Sequence, residues 1–212
     1  MEMNGGEGQR DTTVFAVSPA PLTFLIADVR GYTSFTVEHG DEAAARLARR
    51  FAEICDGIVG THGGRVIELR GDEALAVFPS TRAALRAAIA LQTRFAETMV
   101  DDPSLPLHVG IGLDAGEAVP VNDGYRGAAL NLAARLCSIA GPGEILVSDA
   151  VTYLAGRVDG VAYAGRGQMH LKGFTEPVAI LEVKREQDQG VAETVPPEGV
   201  WSRHVRFRSE AF

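Results

Sequence analysis

The 212-residue chain has only two cysteines, Cys55 and Cys137, and neither stands in a cysteine–histidine pattern at metal-ligand spacing. A disulfide framework or a structural zinc site is therefore excluded as the basis of the fold. Both thiols sit among apolar residues in helix-like segments and read as buried free cysteines. Long apolar runs are missing too, since none reaches the ~20 residues that a bilayer-spanning helix needs. The first residues, MEMNGGEGQRDTT, are polar and glycine-rich and lack the apolar stretch of a signal peptide, so the expectation is a cytoplasmic chain with no membrane span. Basic charge is not in excess: 20 Lys and Arg stand against 28 Asp and Glu, a formal net charge of -8. That balance argues against a nucleic-acid surface but leaves room for a local basic pocket. What is present is globular in kind, with 46% hydrophobic and 23% charged residues, in a length suited to one domain with tails.

Residues 1–20 read as a flexible lead, 21–184 as the folded domain and 185–212 as a polar and then basic tail. Within the domain, Leu22–Ala27 is a buried strand that ends on Asp28. The turn-like VRGYTS leads into a short helix, with Asp41 placed to cap a helix whose stripe is Leu47, Phe51, Ile54, Cys55 and Ile58. His62-Gly63-Gly64 ends that helix. RVIEL and ALAVF form a hairpin around Arg70-Gly71-Asp72-Glu73, and Ser80 caps a second helix striped by Ala84, Leu85, Ala88, Leu91 and Phe95. Residues 107–118 read as a glycine-rich strand, 128–139 as a third helix, 144–148 as a strand, 149–154 as a short helix, and 161–171 and 178–183 as two further strands. This order predicts an α+β fold with helices covering a mostly antiparallel sheet. The tail carries Trp201, Arg203, His204, Arg206 and Arg208. It is either a linker or the start of a contact to another regulatory module.

Four features bear on chemistry. Asp28 closes a buried strand and Asp72 sits at a hairpin tip. If their strands are neighbours, the two carboxylates converge at one sheet edge and offer hard-oxygen ligands suited to Mg²⁺ or Mn²⁺. On two aspartates alone, closing turns is the plainer role. Gly31, Tyr32 and Thr33 follow Asp28 in a turn that enters a helix, where successive N–H groups make an anion nest. Asn131 and Arg135 lie four apart on one helix face, an amide and a guanidinium fit for a sugar oxygen and a phosphate, or else simply a solvated polar pair. Lys172, in Leu171-Lys172-Gly173-Phe174, is a solvated lysine or an added phosphate counter-charge.

Taken together, FLIADVRGYTSFT, ELRGDEALAVF, HVGIGLDAGEAV, GYRGAALNLAARL, GEILVS and LKGFTEPV resemble the class III adenylyl/guanylyl cyclase catalytic domain, across roughly residues 20–184. The resemblance implies a ferredoxin-like βαββαβ core and a head-to-tail homodimer with active sites at the interface. It implies that Asp28, Asp72 and the carbonyl of Val29 bind two metal ions, Mg²⁺ or Mn²⁺. Gly31, Tyr32 and Thr33 would line the triphosphate loop, and Lys172 would hold the terminal phosphates. Asn131 and Arg135 would come from the other protomer, orienting the ribose and stabilising the transition state. The implied reaction turns ATP or GTP into a 3′,5′-cyclic nucleotide and pyrophosphate.

Three positions depart from the family pattern. Glu68 stands where adenylyl cyclases usually have Lys and guanylyl cyclases use Glu. Gly124 occupies the partner base-specificity position and has no side chain to read a base, with Asp123 beside it. His108 replaces an Arg that contacts phosphate in many members, and its charge would vary near pH 6.5. These departures keep a second reading in view, a weak or inactive cyclase-like module that binds nucleotide or dimerises. A diguanylate cyclase is disfavoured, because the turn Arg70-Gly71-Asp72-Glu73-Ala74 lacks the Gly-Gly-Asp/Glu-Glu-Phe signature.

Overall fold

The computed structural model describes residues 20–121 and 124–186, so the expectations for the N-terminal lead, for Asp123 and for nearly all of the tail lie outside the described residues. The chain runs β1 (Leu22–Val29), α1 (Tyr32–Thr61), β2 (Arg65–Arg70), β3 (Glu73–Phe78), α2 (Thr81–Asp101), β4 (Val109–Gly116), β5 (Val119–Val121), β6 (Gly124–Arg126), α3 (Ala128–Ile139), β7 (Ile145–Ser148), α4 (Asp149–Ala155), β8 (Val161–Met169) and β9 (Val178–Arg185). Seven strands form one sheet in the order β2-β3-β1-β4-β7-β9-β8, and β5 and β6 form a separate hairpin. Every pairing in the large sheet is antiparallel except β4 with β7. The first four strands and two helices give the ferredoxin-like βαββαβ arrangement. Among the described residues no helix is long and apolar enough to cross a membrane.

β1 is central, and residues 23–27 are all buried because helices lie on both of its faces. Such a strand reads as a continuous apolar run rather than an alternating one. Leu25, Ala27 and Val29 face a core shared with α1, α2 and α4, where Phe51 of α1 stacks on Phe95 of α2 with ring centroids 5.7 Å apart. Phe24 and Ile26 face Ala129, Ala133 and Cys137 of α3. Burying each such side chain contributes about 1.5–3 kcal/mol, which makes the two stripes on α1 and α2 the main source of helix stability.

α3 lies directly on β4. A Cβ on Gly112 would stand 2.1 Å from the Cys137 nitrogen and 2.3 Å from the Ala133 carbonyl oxygen, so only glycine lets the two backbones approach this closely. The long α1 is two helices joined at Gly40, whose φ of 83° and ψ of 167° break the spiral just before Asp41. This matches the expected turn-and-helix followed by a helix beginning at Asp41. Ser80 caps α2 as expected, accepting from the Ala83 N–H.

One buried polar pair stands out. The Ser148 hydroxyl donates to Asp114 across the parallel β4–β7 pairing, and so is not available to cap α4. Burial pushes the Asp114 carboxyl from the usual 3.8 up to about 6, against the lowering effect of the Ser148 hydroxyl and the Ala115 N–H. A raised carboxyl means the folded state holds its proton more tightly than the unfolded chain. This group therefore favours folding below about pH 4, and that contribution is lost as pH rises through about 6. Asp114→Asn, which keeps an acceptor for Ser148 without charge, is expected to stabilise the fold at pH 8 by about 2 kcal/mol, with little effect at pH 4. Urea unfolding at the two pH values measures it, and equal effects at both would refute the account.

Candidate active site

The end of β1 and the β2–β3 turn meet at one edge of the sheet. Asp28 is paired with Glu73 of β3 and with Gly110 of β4. The Val29 N–H donates to the carbonyl of Asp72 at 3.0 Å, which ties the hairpin tip to the last residue of β1. The turn is tight because Gly71 takes a φ of 60°, a conformation that favours glycine. Asp28 and Asp72 are thereby close enough to act on each other. Burial raises the Asp28 carboxyl, the Arg30 guanidinium lowers it, and Asp72 raises it again. Glu73 is raised by burial and then by Asp28, with Arg70 opposing.

This concentration of negative charge suits a divalent cation. No group of three or more His, Cys, Asp or Glu side chains forms a metal cage among the described residues. Mg²⁺ does not require one, since it is commonly held by one or two carboxylates with the remaining positions filled by water and substrate phosphate. The donor set of Asp28, Asp72 and a nearby backbone carbonyl fits that pattern.

Gly31 is the N-terminal cap of α1, with a φ of 78°, and as a glycine it offers no side chain to cap the first turn. The N–H groups of its first turn thus have no acceptor from the cap side chain, and they form the positive end of the helix dipole. Gly31 and Tyr32 line a hollow of about 290 Å³ together with Val29, Ser34 and Glu38. The Tyr32 hydroxyl points back into α1 and donates to the Ala44 carbonyl at 3.3 Å, so of this residue the backbone is the part suited to an anion.

Asn131 and Arg135 are both exposed on the same face of α3, the opposite side being buried through Leu132, Ala133, Leu136 and Cys137. They line a second hollow, about 380 Å³, with Lys172, Gly173 and Phe174. Arg135 Nε donates to the Lys172 carbonyl at 3.2 Å. Lys172 therefore belongs to the Asn131/Arg135 half rather than to the Gly31 loop. The two hollows share no lining residue.

Glu68 forms an ion pair with Arg70 and is paired with Leu75 across the hairpin. Gly124 opens β6, where an added Cβ would have free space, its nearest neighbour being the Val121 carbonyl at 4.0 Å. Their chain neighbours Ile67 and Tyr125 pack on the same apolar cluster, so both positions flank the face that bears Asp28. His108 is exposed and lines a different hollow, with Gln92, Pro142, Gly143 and Arg185, while its carbonyl accepts from the Arg30 N–H at 2.7 Å. Sequence reasoning passed over Arg30 and Glu73. The signal for Arg30 was the two-residue period of β1, which puts residue 30 on the same side as residue 28.

Residues 16–182 match the family described as Adenylate and Guanylate cyclase catalytic domain. A Rhizobium meliloti protein provisionally named adenylate cyclase 3 is 31% identical over 160 residues, covering 74% of this chain and 27% of that protein. The chain thus spans about a quarter of the length of that relative. The solved structure of the guanylyl cyclase Cya2 aligns with 26% identity and a TM-score of 0.65, over 77% of this chain and 91% of that one. The adenylyl cyclase CyaB from P. aeruginosa aligns with 26% identity and a TM-score of 0.68, over 80% of this chain and 97% of that one. A guanylyl and an adenylyl cyclase are thus equally similar in sequence.

Proposed function

From the premise that the chain belongs to the adenylate and guanylate cyclase catalytic domain family, we propose that it is a homodimeric nucleotidyl cyclase acting on a nucleoside triphosphate at a site shared between protomers. The observation that carries this is the meeting of Asp28 and Asp72 through the Val29–Asp72 hydrogen bond, beside an uncapped helix start. Asp28, Asp72 and the Val29 carbonyl would hold two Mg²⁺ or Mn²⁺ ions. Bound there, such ions would lower the pKa of the ribose 3′-hydroxyl and offset the charge on the departing pyrophosphate.

The backbone after Asp28, at Gly31, Tyr32 and Thr33, would receive the triphosphate. Asn131 of the second protomer would orient the ribose, Arg135 would neutralise charge building on the α-phosphate, and Lys172 would hold the terminal phosphates. The 3′-oxygen would lose its proton to solvent and bond to the α-phosphorus as the bond to the β-phosphate oxygen breaks, releasing pyrophosphate. Positioning and electrostatics would supply most of the rate. The hollow lined by Asn131, Arg135 and Lys172 includes none of Asp28, Asp72 and Gly31, which supports a shared site, because a two-fold partner would bring the missing half to each.

The test is product formation from ATP, GTP, CTP and UTP with Mn²⁺, alongside the Glu68→Lys variant. Cyclic product at multiple turnovers is expected for the wild type. Tight nucleotide binding with no product would favour instead a binding or dimerisation module. Glu68, paired with Arg70 in the free chain, would read the base. Glu68→Lys is expected to raise the ATP/GTP ratio of kcat/KM by about ten-fold, the scale of one gained or lost polar contact to a base. An unchanged ratio would remove Glu68 from base recognition.

A further inference from the structure

Arg30 is held in a slot built for it. One guanidinium nitrogen donates to Asp28 Oδ1 at 2.7 Å, and the other donates to the Cys137 carbonyl at 2.5 Å, in the last turn of α3. The slot exists because residue 110 is glycine. A Cβ there would stand 2.3 Å from one terminal guanidinium nitrogen and 2.6 Å from Nε. The Nε itself is buried and has no hydrogen-bond partner among the described residues, so the group is not fully satisfied where it lies.

The surrounding charge explains why an arginine sits here. Asp28, Asp72 and Glu73 crowd together, and the Arg30 guanidinium is the cation in direct contact with Asp28. We propose that Arg30 is an internal counter-ion that takes the place of the metal on Asp28 and must swing away from Oδ1 when a divalent cation binds, releasing the C-terminal turn of α3 as it does so. This rests on the metal reading of Asp28 and Asp72, and it deepens that reading by giving the site a built-in competitor. A positive charge within contact of a ligand carboxylate opposes a second cation, and the half-buried setting weakens solvent screening of that repulsion. The second guanidinium bond makes the competition mechanical as well as electrostatic. Arg30 joins the metal end of β1 to α3, the helix that carries Asn131 and Arg135 on its exposed face. Arg30 acts as a positioning residue in this scheme.

Binding of Mn²⁺ to the full chain, followed through the electron-spin resonance of the free ion, tests the proposal without turnover. Wild type is expected to bind, and Asp72→Asn is expected to lose that binding. Arg30→Gln, which keeps an amide donor for the Cys137 carbonyl but removes the charge, is expected to bind Mn²⁺ about ten-fold more tightly, one unit charge partly screened. Arg30→Lys, which keeps the charge, is expected to stay within about two-fold of wild type. A merely structural arginine would give weaker binding on substitution.

Equal or weaker Mn²⁺ binding by Arg30→Gln, with wild type binding normally, would overturn the counter-ion role alone. Absence of Mn²⁺ binding by wild type would overturn the metal site and this inference together. A second measurement needs no variant. On adding Mn²⁺ to wild type, hydrogen exchange of the Ala140 amide, bonded to the Leu136 and Cys137 carbonyls at the helix end, is expected to accelerate. Unchanged or slowed exchange would overturn the release of α3.

Discussion

Asp72→Ala is expected to lower the rate of cyclic nucleotide formation by about a thousand-fold with the fold intact, a loss of about 4 kcal/mol in transition-state stabilisation. The expectation rests on what the residue does and does not hold up. Its carbonyl, not its carboxylate, accepts the Val29 N–H, so the main-chain tie between the hairpin and β1 survives truncation. The turn itself depends on Gly71 at a φ of 60°. The side chain is half-buried at a hairpin tip, and its main electrostatic effect is to raise Asp28 and Glu73, so removing it relieves repulsion. On these grounds thermal stability should be unchanged or slightly higher while turnover collapses. Pyrophosphate release with Mn²⁺, measured beside a melting curve, separates the two. Asp72→Asn, of nearly the same shape, should be almost as impaired because charge is what binds a cation. Turnover within about two-fold of wild type would show that Asp72 only closes the hairpin.

Much of this arrangement can be read from the sequence, for reasons that differ by residue. The strands and helices are legible because their apolar spacing is dense. The stripe Leu47, Phe51, Ile54 and Cys55 is buried, as is Ala84, Leu85, Ala88, Leu91 and Phe95. β5 and β6 were not legible, being three residues each, with β5 exposed throughout and interrupted by Pro120, so that neither period nor burial marks them. The meeting of Asp28 and Asp72 was only conditional in the sequence, because it depends on β1 lying between β3 and β4, a pairing between segments far apart in the chain. Arg30 shows the opposite case. Its contact with Cys137 spans 107 positions, and no local pattern reveals that a glycine at 110 makes room for it. Lys172 joins Arg135 for a similar reason: β7 and β9 are adjacent in the sheet, and the turn before β9 is thereby carried against the exposed face of α3.

Arg135→Ala is expected to lower turnover by about a hundred-fold or more, since a guanidinium placed on developing phosphate charge stabilises the transition state much more than the ground state. The fold should not suffer. Arg135 is exposed, and among the described residues its side chain makes one hydrogen bond, to the Lys172 carbonyl. Its loss should appear mainly in kcat, with KM changed less. Asp72→Ala and Arg135→Ala impair different halves of the site, and the hollow that Arg135 lines with Asn131 and Lys172 includes neither Asp28 nor Asp72. If each site takes its carboxylates from one protomer and its Asn131/Arg135 pair from the other, a mixed dimer of the two variants has one site with both defects and one with neither. Random exchange of equal amounts makes half the dimers mixed, so activity should recover to about a quarter of wild type per chain. Two inactive proteins becoming active on mixing is an outcome that a site contained in a single chain does not produce. A mixture that exchanges subunits, verified by a mass tag on one variant, yet stays inactive would place both halves in one chain and overturn the shared site while leaving the metal pair standing.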